Sequence, residues 1–150
     1  MKTLIVFFLV VLKYDSATQI LHPVKWDFSI TKISDKTYQF KATAEMESQW
    51  HIYAQNQPED AISSPTAFLF DKQVGVKLIG KVKEIGKMIK YIDKKNNILA
   101  NEYGGQVEFV QTIRITDPSK AKLSGKVTYQ SCTDRQCLQP EDIKFSVDLK

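Results

Sequence analysis

The sequence is poor in the residues from which metal sites, phosphate loops and membrane spans are built. Its 150 residues include two cysteines, two histidines, six glycines and five prolines. A structural zinc site takes four ligands, and Cys132, Cys137, His22 and His51 fall in no finger-like spacing, so neither a metal nor a cofactor is expected. The glycines form no phosphate-cradling loop, and there is no Ser-His-Asp signature or paired-carboxylate motif. No apolar run approaches the roughly 20 residues of a bilayer-spanning helix, so stable membrane insertion is not expected. A helical stripe longer than one turn is missing as well. The formal net charge of +4 is mild, and Lys72, Lys77, Lys81, Lys83, Lys87 and Lys90 alternate with apolar residues. That distribution suits a solvated sheet face; a nucleic-acid footprint would cluster its basic residues with exposed aromatics. No nucleic-acid partner is expected.

What is present begins with a leader. Met1-Lys2 precedes an apolar run from Leu4 to Leu12, then polar residues and Ser16-Ala17, the form of a secretory signal peptide. Residues 1–17 are therefore read as removed on export, with a cut near Ala17, leaving 18–150 as one domain in the periplasm or outside the cell. Loss of Lys2, Lys13 and Asp15 lowers the charge from +4 to +3. No cysteine follows the run, which argues against a lipid anchor.

The remainder alternates with period two. Val24, Trp26, Phe28 and Ile30 share a parity, as do Tyr38, Phe40, Ala42, Ala44 and Met46. Val74, Val76, Leu78 and Val82 form a third set, Val107, Phe109, Ile113 and Ile115 a fourth, and Ile143, Phe145, Val147 and Leu149 a fifth. Each set reads as a strand with one face on a core and one in water. Ser34-Asp35, Asp71-Lys72, Asn96-Asn97, Gly104-Gly105, Asp117-Pro118-Ser119 and Gln139-Pro140 supply the turns. About seven to nine strands with regular turns predict an all-β, antiparallel sandwich, with a closed barrel as the alternative. Residues 55–65 read as a surface loop.

The two cysteines stand five positions apart, in Ser131-Cys132-Thr133-Asp134-Arg135-Gln136-Cys137-Leu138. In an exported protein this spacing can close a disulfide, which is either a staple or a working redox couple. Closing so short a loop is worth roughly 2 kcal/mol of chain entropy, and neighbouring strands already hold such residues close. Cys132 has the parity opposite to the core residues Leu123, Val127 and Tyr129, so its sulfur is expected to point outward, within a partner's reach. Arg135 favours a thiolate and Asp134 opposes it, so charge alone decides nothing.

Three segments together resemble the amino-terminal periplasmic domain of the thiol:disulfide interchange protein DsbD. Val127 to Cys132 with Cys137 to Pro140 is similar to that family's cysteine hairpin. Trp50-His51-Ile52-Tyr53-Ala54-Gln55 is similar to its early aromatic segment, and Ser64 to Phe70 followed by Leu78 to Glu84 to its middle. The resemblance spans Val24 to Leu149 and implies an immunoglobulin-like sandwich. It implies a redox-active Cys132/Cys137 pair, with Cys137 the sulfur that attacks partners. His51 and Tyr53, sharing one strand face, are implied as neighbours of the pair, and a histidine there would aid proton traffic.

The resemblance further implies an oxidoreductase component, a protein-disulfide reductase passing electrons to oxidised periplasmic proteins. Its donor, thioredoxin-like or a membrane thiol transporter, would be a separate chain, since neither a membrane-spanning redox domain nor a thioredoxin-like domain with C-x-x-C is seen in the sequence. Two departures stand out. Gln139 replaces a proline frequent in the family. The stretch from Asp93 to Gly104, where the family carries a Phe-bearing cap over its disulfide, offers Ile98, Leu99 and Tyr103 instead. The alternative function is a non-catalytic immunoglobulin-like accessory domain with an inert hairpin disulfide.

Overall fold

The computed structural model describes residues 21–96, 98–117 and 122–149. The leader, Asn97 and Pro118-Ser119 lie outside them. All regular structure among these residues is β. In chain order the strands are β1 (Val24–Ser34), β2 (Thr37–Met46), β3 (His51–Tyr53), β4 (Ala67–Phe70), β5 (Val76–Gly86), β6 (Ile89–Asp93), β7 (Ile98–Gly104), β8 (Gln106–Ile115), β9 (Lys122–Tyr129), β10 (Ser131–Cys132) and β11 (Glu141–Asp148). They form three antiparallel sheets, ordered β1-β2-β8-β5, β11-β9-β4 and β10-β3-β7-β6. The molecule is an immunoglobulin-like sandwich.

The predicted alternation positions the core. Along β2, Tyr38, Phe40, Ala42, Ala44 and Met46 are buried, while the residues between them reach solvent. β9 repeats this with Leu123, Val127 and Tyr129. The first two sheets close on an aromatic cluster. Trp26 lies 5.7 Å from Phe109 and 5.3 Å from Tyr129 between ring centroids, and Phe145 lies 4.8 Å from Phe40 and 5.1 Å from Phe28. Such rings bury large apolar area and add pairwise attraction.

Two stretches depart from simple alternation. Val74 is not part of a strand: it sits in the turn before β5, 73% exposed. In β5 itself Val76 and Val82 pack on the core, but Leu78 is exposed. The cause is a bulge. Ile79 pairs with Thr112 and Lys83 with Val110, so Gly80, Lys81 and Val82 face Gln111 alone, and Gly80 takes φ +72°, a conformation cheap only for glycine. Gln111 occupies a core position of β8 at 2% exposure, and its amide donates to the Ile79 carbonyl at 2.9 Å and to the Thr112 carbonyl at 2.8 Å. A buried amide without such partners would carry a desolvation cost; here it secures the strand at its irregularity.

Gly125, in the middle of β9, is required for a different reason. A Cβ there would collide with the Leu69 carbonyl oxygen of β4 and approach Phe145 Cζ to 2.8 Å. We expect Gly125→Ala to destabilise the fold by roughly 1–3 kcal/mol, the range for overpacking a filled interior, read as a lower denaturant midpoint with an unchanged slope.

Candidate functional site

The third sheet gives the site its shape. Strand β3 is three residues long and pairs on both sides: Ile52 opposite Ser131 and Tyr103, His51 opposite Cys132 and Gly104, Tyr53 opposite Glu102. Cross-strand partners share a face. Ile52, Tyr103 and Ser131 are therefore turned one way and are buried. Cys132, His51, Tyr53 and Glu102 are turned the other way. β6 extends this second face, its Tyr91 paired with Ala100.

Cys132 and Cys137 are joined, Sγ to Sγ 2.04 Å, across a tight hairpin. Thr133 organises the turn. Its amide donates to the Gln136 carbonyl at 2.8 Å, and its hydroxyl accepts from the Arg135 and Gln136 amides at 3.2 Å. The Leu138 amide closes the hairpin on the Ser131 carbonyl at 2.9 Å. Alternation gives the direction of Cys132 correctly, yet its sulfur is not within a partner's reach: the residue is 1% exposed. The strand ends at Tyr129, and β10 joins a different sheet from β9, so the Cys132 side chain lies between β3 and the hairpin, paired with His51 on one side and Cys137 on the other. The exposed cysteine is Cys137.

Both aromatic-segment residues lie at the disulfide. The Tyr53 hydroxyl donates to Cys132 Sγ at 3.3 Å and lies 3.9 Å from Cys137 Sγ. Burial, reinforced by Glu102 and Tyr91, raises its pKa, which keeps the phenol protonated and a donor at neutral pH. His51 packs edge-on to Tyr53, ring centroids 5.5 Å apart, and its Nε2 is 3.3 Å from Glu102 Oε2. Burial lowers the His51 pKa, with Asp134 opposing, and raises that of Glu102, with Asp134 adding to the rise. Desolvation thus favours the uncharged form of each group.

The stretch from Asp93 to Gly104 is mostly strand β7, and its residues diverge. Ile98 and Leu99 line a cavity of about 190 Å³ that also borders Cys137, His51 and Tyr53. Tyr103 is brought instead to the core side, its hydroxyl donating to Glu84 Oε2 at 3.1 Å; burial and then Glu84 push its phenol up to about 12.

Sequence reasoning missed Glu102, Tyr91 and Ile62, which also border this cavity. Glu102 and Tyr91 had a usable signal, since they fall on the strand face implied by the β6–β7 pairing. Ile62 had none, because it belongs to the 55–65 loop. That loop is tied to β7 by Gln57, whose amide donates to the Ala54 and Asn101 carbonyls and accepts from the Asn101 amide, and to β3 by the Thr66 hydroxyl on the Tyr53 carbonyl at 2.6 Å. Among the described residues no group of three or more His, Cys, Asp or Glu could hold a metal ion, and no helix is long and apolar enough to cross a membrane.

The family model described as "Thiol:disulfide interchange protein DsbD, N-terminal" matches residues 17–149. Among solved structures the fold is similar to the DsbD N-terminal domain of Neisseria meningitidis in its reduced form, at 11% identity and a TM-score of 0.51, over 81% of this chain and 83% of that one. It is also similar to the N-terminal periplasmic domain of ScsB from Proteus mirabilis, at 15% identity and a TM-score of 0.56, over 84% of this chain and 44% of that one. No curated protein sequence matches.

The depressed His51 pKa has a thermodynamic consequence. Below about pH 6.5 the unfolded chain takes up a proton that the folded chain resists, so folding stability falls as pH drops through that value. The stability-versus-pH slope between pH 5 and 7 should be smaller in His51→Gln than in the wild type. Asp134→Asn should move the His51 titration, followed by NMR, to still lower pH, because the charge that opposes the depression is gone.

Proposed function

The chain belongs to the family of the N-terminal domain of thiol:disulfide interchange protein DsbD, and from this premise we propose that it is an exported thiol–disulfide exchange module in which Cys137 meets the partner and Cys132 resolves. The asymmetry of the pair carries the reading: one sulfur is exposed, the other is buried beneath a hydroxyl donor. A thiolate of a reduced, thioredoxin-like or membrane-bound donor attacks Cys137 Sγ in line with the bridge. The Cys132–Cys137 bond breaks and its electron pair leaves on Cys132 Sγ as a thiolate, which receives the Tyr53 hydrogen bond. The donor's second thiolate then attacks its own sulfur in the mixed disulfide and releases Cys137 as a thiolate. The donor is left oxidised and this domain holds two thiols.

Delivery runs the other way. The Cys137 thiolate attacks the disulfide of an oxidised periplasmic protein, and Cys132 then attacks Cys137 Sγ and expels the partner's thiol. The partner leaves reduced, and the domain's bridge is restored. The hydrogen bond from Tyr53 acts where charge develops, on the buried sulfur, and hydrogen bonds to charged groups are the stronger class.

Trapping in cells tests the assignment. Cys132→Ser leaves the attacking sulfur without its resolver and should accumulate mixed disulfides, separable on a non-reducing gel; Cys137→Ala should accumulate none. Equal behaviour of the two variants, with no adduct in either, would favour an inert bridge in an accessory domain. Tyr53→Phe should slow reduction of the bridge by a small dithiol about tenfold, the effect of losing a charge-assisted hydrogen bond worth roughly 1.5 kcal/mol.

A further inference from the structure

From this chain the exchange steps use the two sulfurs of the pair and one hydroxyl, and leave the cavity beside Cys137 without a task. Beyond the residues of the disulfide site, its apolar lining comes from three segments: Ile62 from the 55–65 loop, Tyr91 from β6, and Ile98, Leu99 and Ala100 from β7. At about 190 Å³ it exceeds the ~150 Å³ that is enough to hold a benzene-sized group. A Leu, Ile or Phe side chain therefore fits. Glu102 and Asp134 are the carboxylates on its lining. Burial first, and Asp134 after it, raises the Glu102 pKa; a further carboxylate in this partly desolvated corner would meet the same burial and the same neighbouring charges.

Ile62 is 84% exposed at the rim, on a loop whose two ends are fixed by Gln57 and Thr66. It stands at the mouth of the cavity that also borders Cys137.

We propose that this cavity is a subsite for one large aliphatic or aromatic side chain adjoining the reactive cysteine of an exported redox partner, and that Glu102 and Asp134 exclude partner segments bearing a carboxylate there. The occupant is an extended peptide segment, neutral or basic around its cysteine. Apolar burial supplies the attraction, and the two carboxylates supply the discrimination. The proposal rests on the exchange reading for the identity of the partner, and the cavity can be read independently of it.

The test uses the reduced protein and two symmetrical disulfide-linked peptides that differ only in the residue beside cysteine, Leu or Asp. Each rate is divided by the rate with glutathione disulfide. The Leu peptide should react at least tenfold faster than the Asp peptide. Ala100→Leu, which fills the cavity from its floor, should bring the ratio below about threefold. Ile62→Ser, a neutral change at an exposed rim that leaves the core untouched, should lower the same ratio. A wild-type ratio near one, or a ratio kept in both variants, overturns the proposal.

Absence of reaction with all three disulfides would be the failure of the exchange reading. The cavity is then read on the oxidised protein with the Leu peptide carrying Ser for Cys. Amide and methyl shifts confined to Ile62, Leu99 and Ala100 in the NMR spectrum support the subsite; none there overturns it.

Discussion

Everything at the disulfide depends on the pairing of one three-residue strand. β3 is hydrogen-bonded to β10 on one side and β7 on the other, and with Ile52 at its centre it commits one face to the interior. Once Ile52 is buried, His51 and Tyr53 have no choice of direction, and the registers of β10 and β7 bring Cys132 and Glu102 to the same side. A shift of one residue in either pairing would exchange the two faces. It would put a histidine and a tyrosine into the core and turn an isoleucine toward the sulfurs. The cost of burying an imidazole among apolar residues therefore enforces the register that the chemistry needs.

The core holds this strand in place from a distance. Trp26, Phe28, Phe40, Phe68, Phe109, Tyr129 and Phe145 join the β1-β2-β8-β5 sheet to the β11-β9-β4 sheet through ring contacts, and Tyr129 lies one residue before the gap that separates β9 from β10. Its hydroxyl donates to Glu141 Oε2 at 2.8 Å, tying the start of β11 to the strand that enters the cysteine hairpin. Packing thus fixes where β9 ends. The change of sheet at Gln130 puts Cys132 between β3 and the hairpin and leaves Cys137 outside. The inequality of the two sulfurs is a result of topology, since both sit in the same short hairpin and differ little in local sequence.

Much of this was legible in the sequence. Alternation in β2, β9 and β11 gave the core faces; parity put His51 and Tyr53 on one face, and only the resemblance to the DsbD family turned that face toward the disulfide. Legibility failed where pairing partners, rather than local pattern, decide. Cys132 has an outward parity, but exposure depends on what lies above the strand, and no period encodes that. Gln111 breaks the apolar series of β8 because a bulge in another strand needs its amide. Tyr103 differs in parity from Glu102, yet only the completed sheet shows which of the two faces the cysteines. Ile62 was invisible because a loop residue carries no periodicity at all.

The bulge in β5 has a bearing on life at high concentration. β5 is an outer strand of its sheet, eleven residues long, with Leu78, Ile79 and Ile85 exposed. A straight strand of that composition would offer its free backbone groups to a neighbouring copy and start an aggregate. The three residues opposite Gln111 twist the edge out of line, and Lys77, Lys81 and Lys83 add a row of like charges that a second copy would have to meet. The strand that looks least regular is thereby a poor template for pairing with a second copy through this sheet.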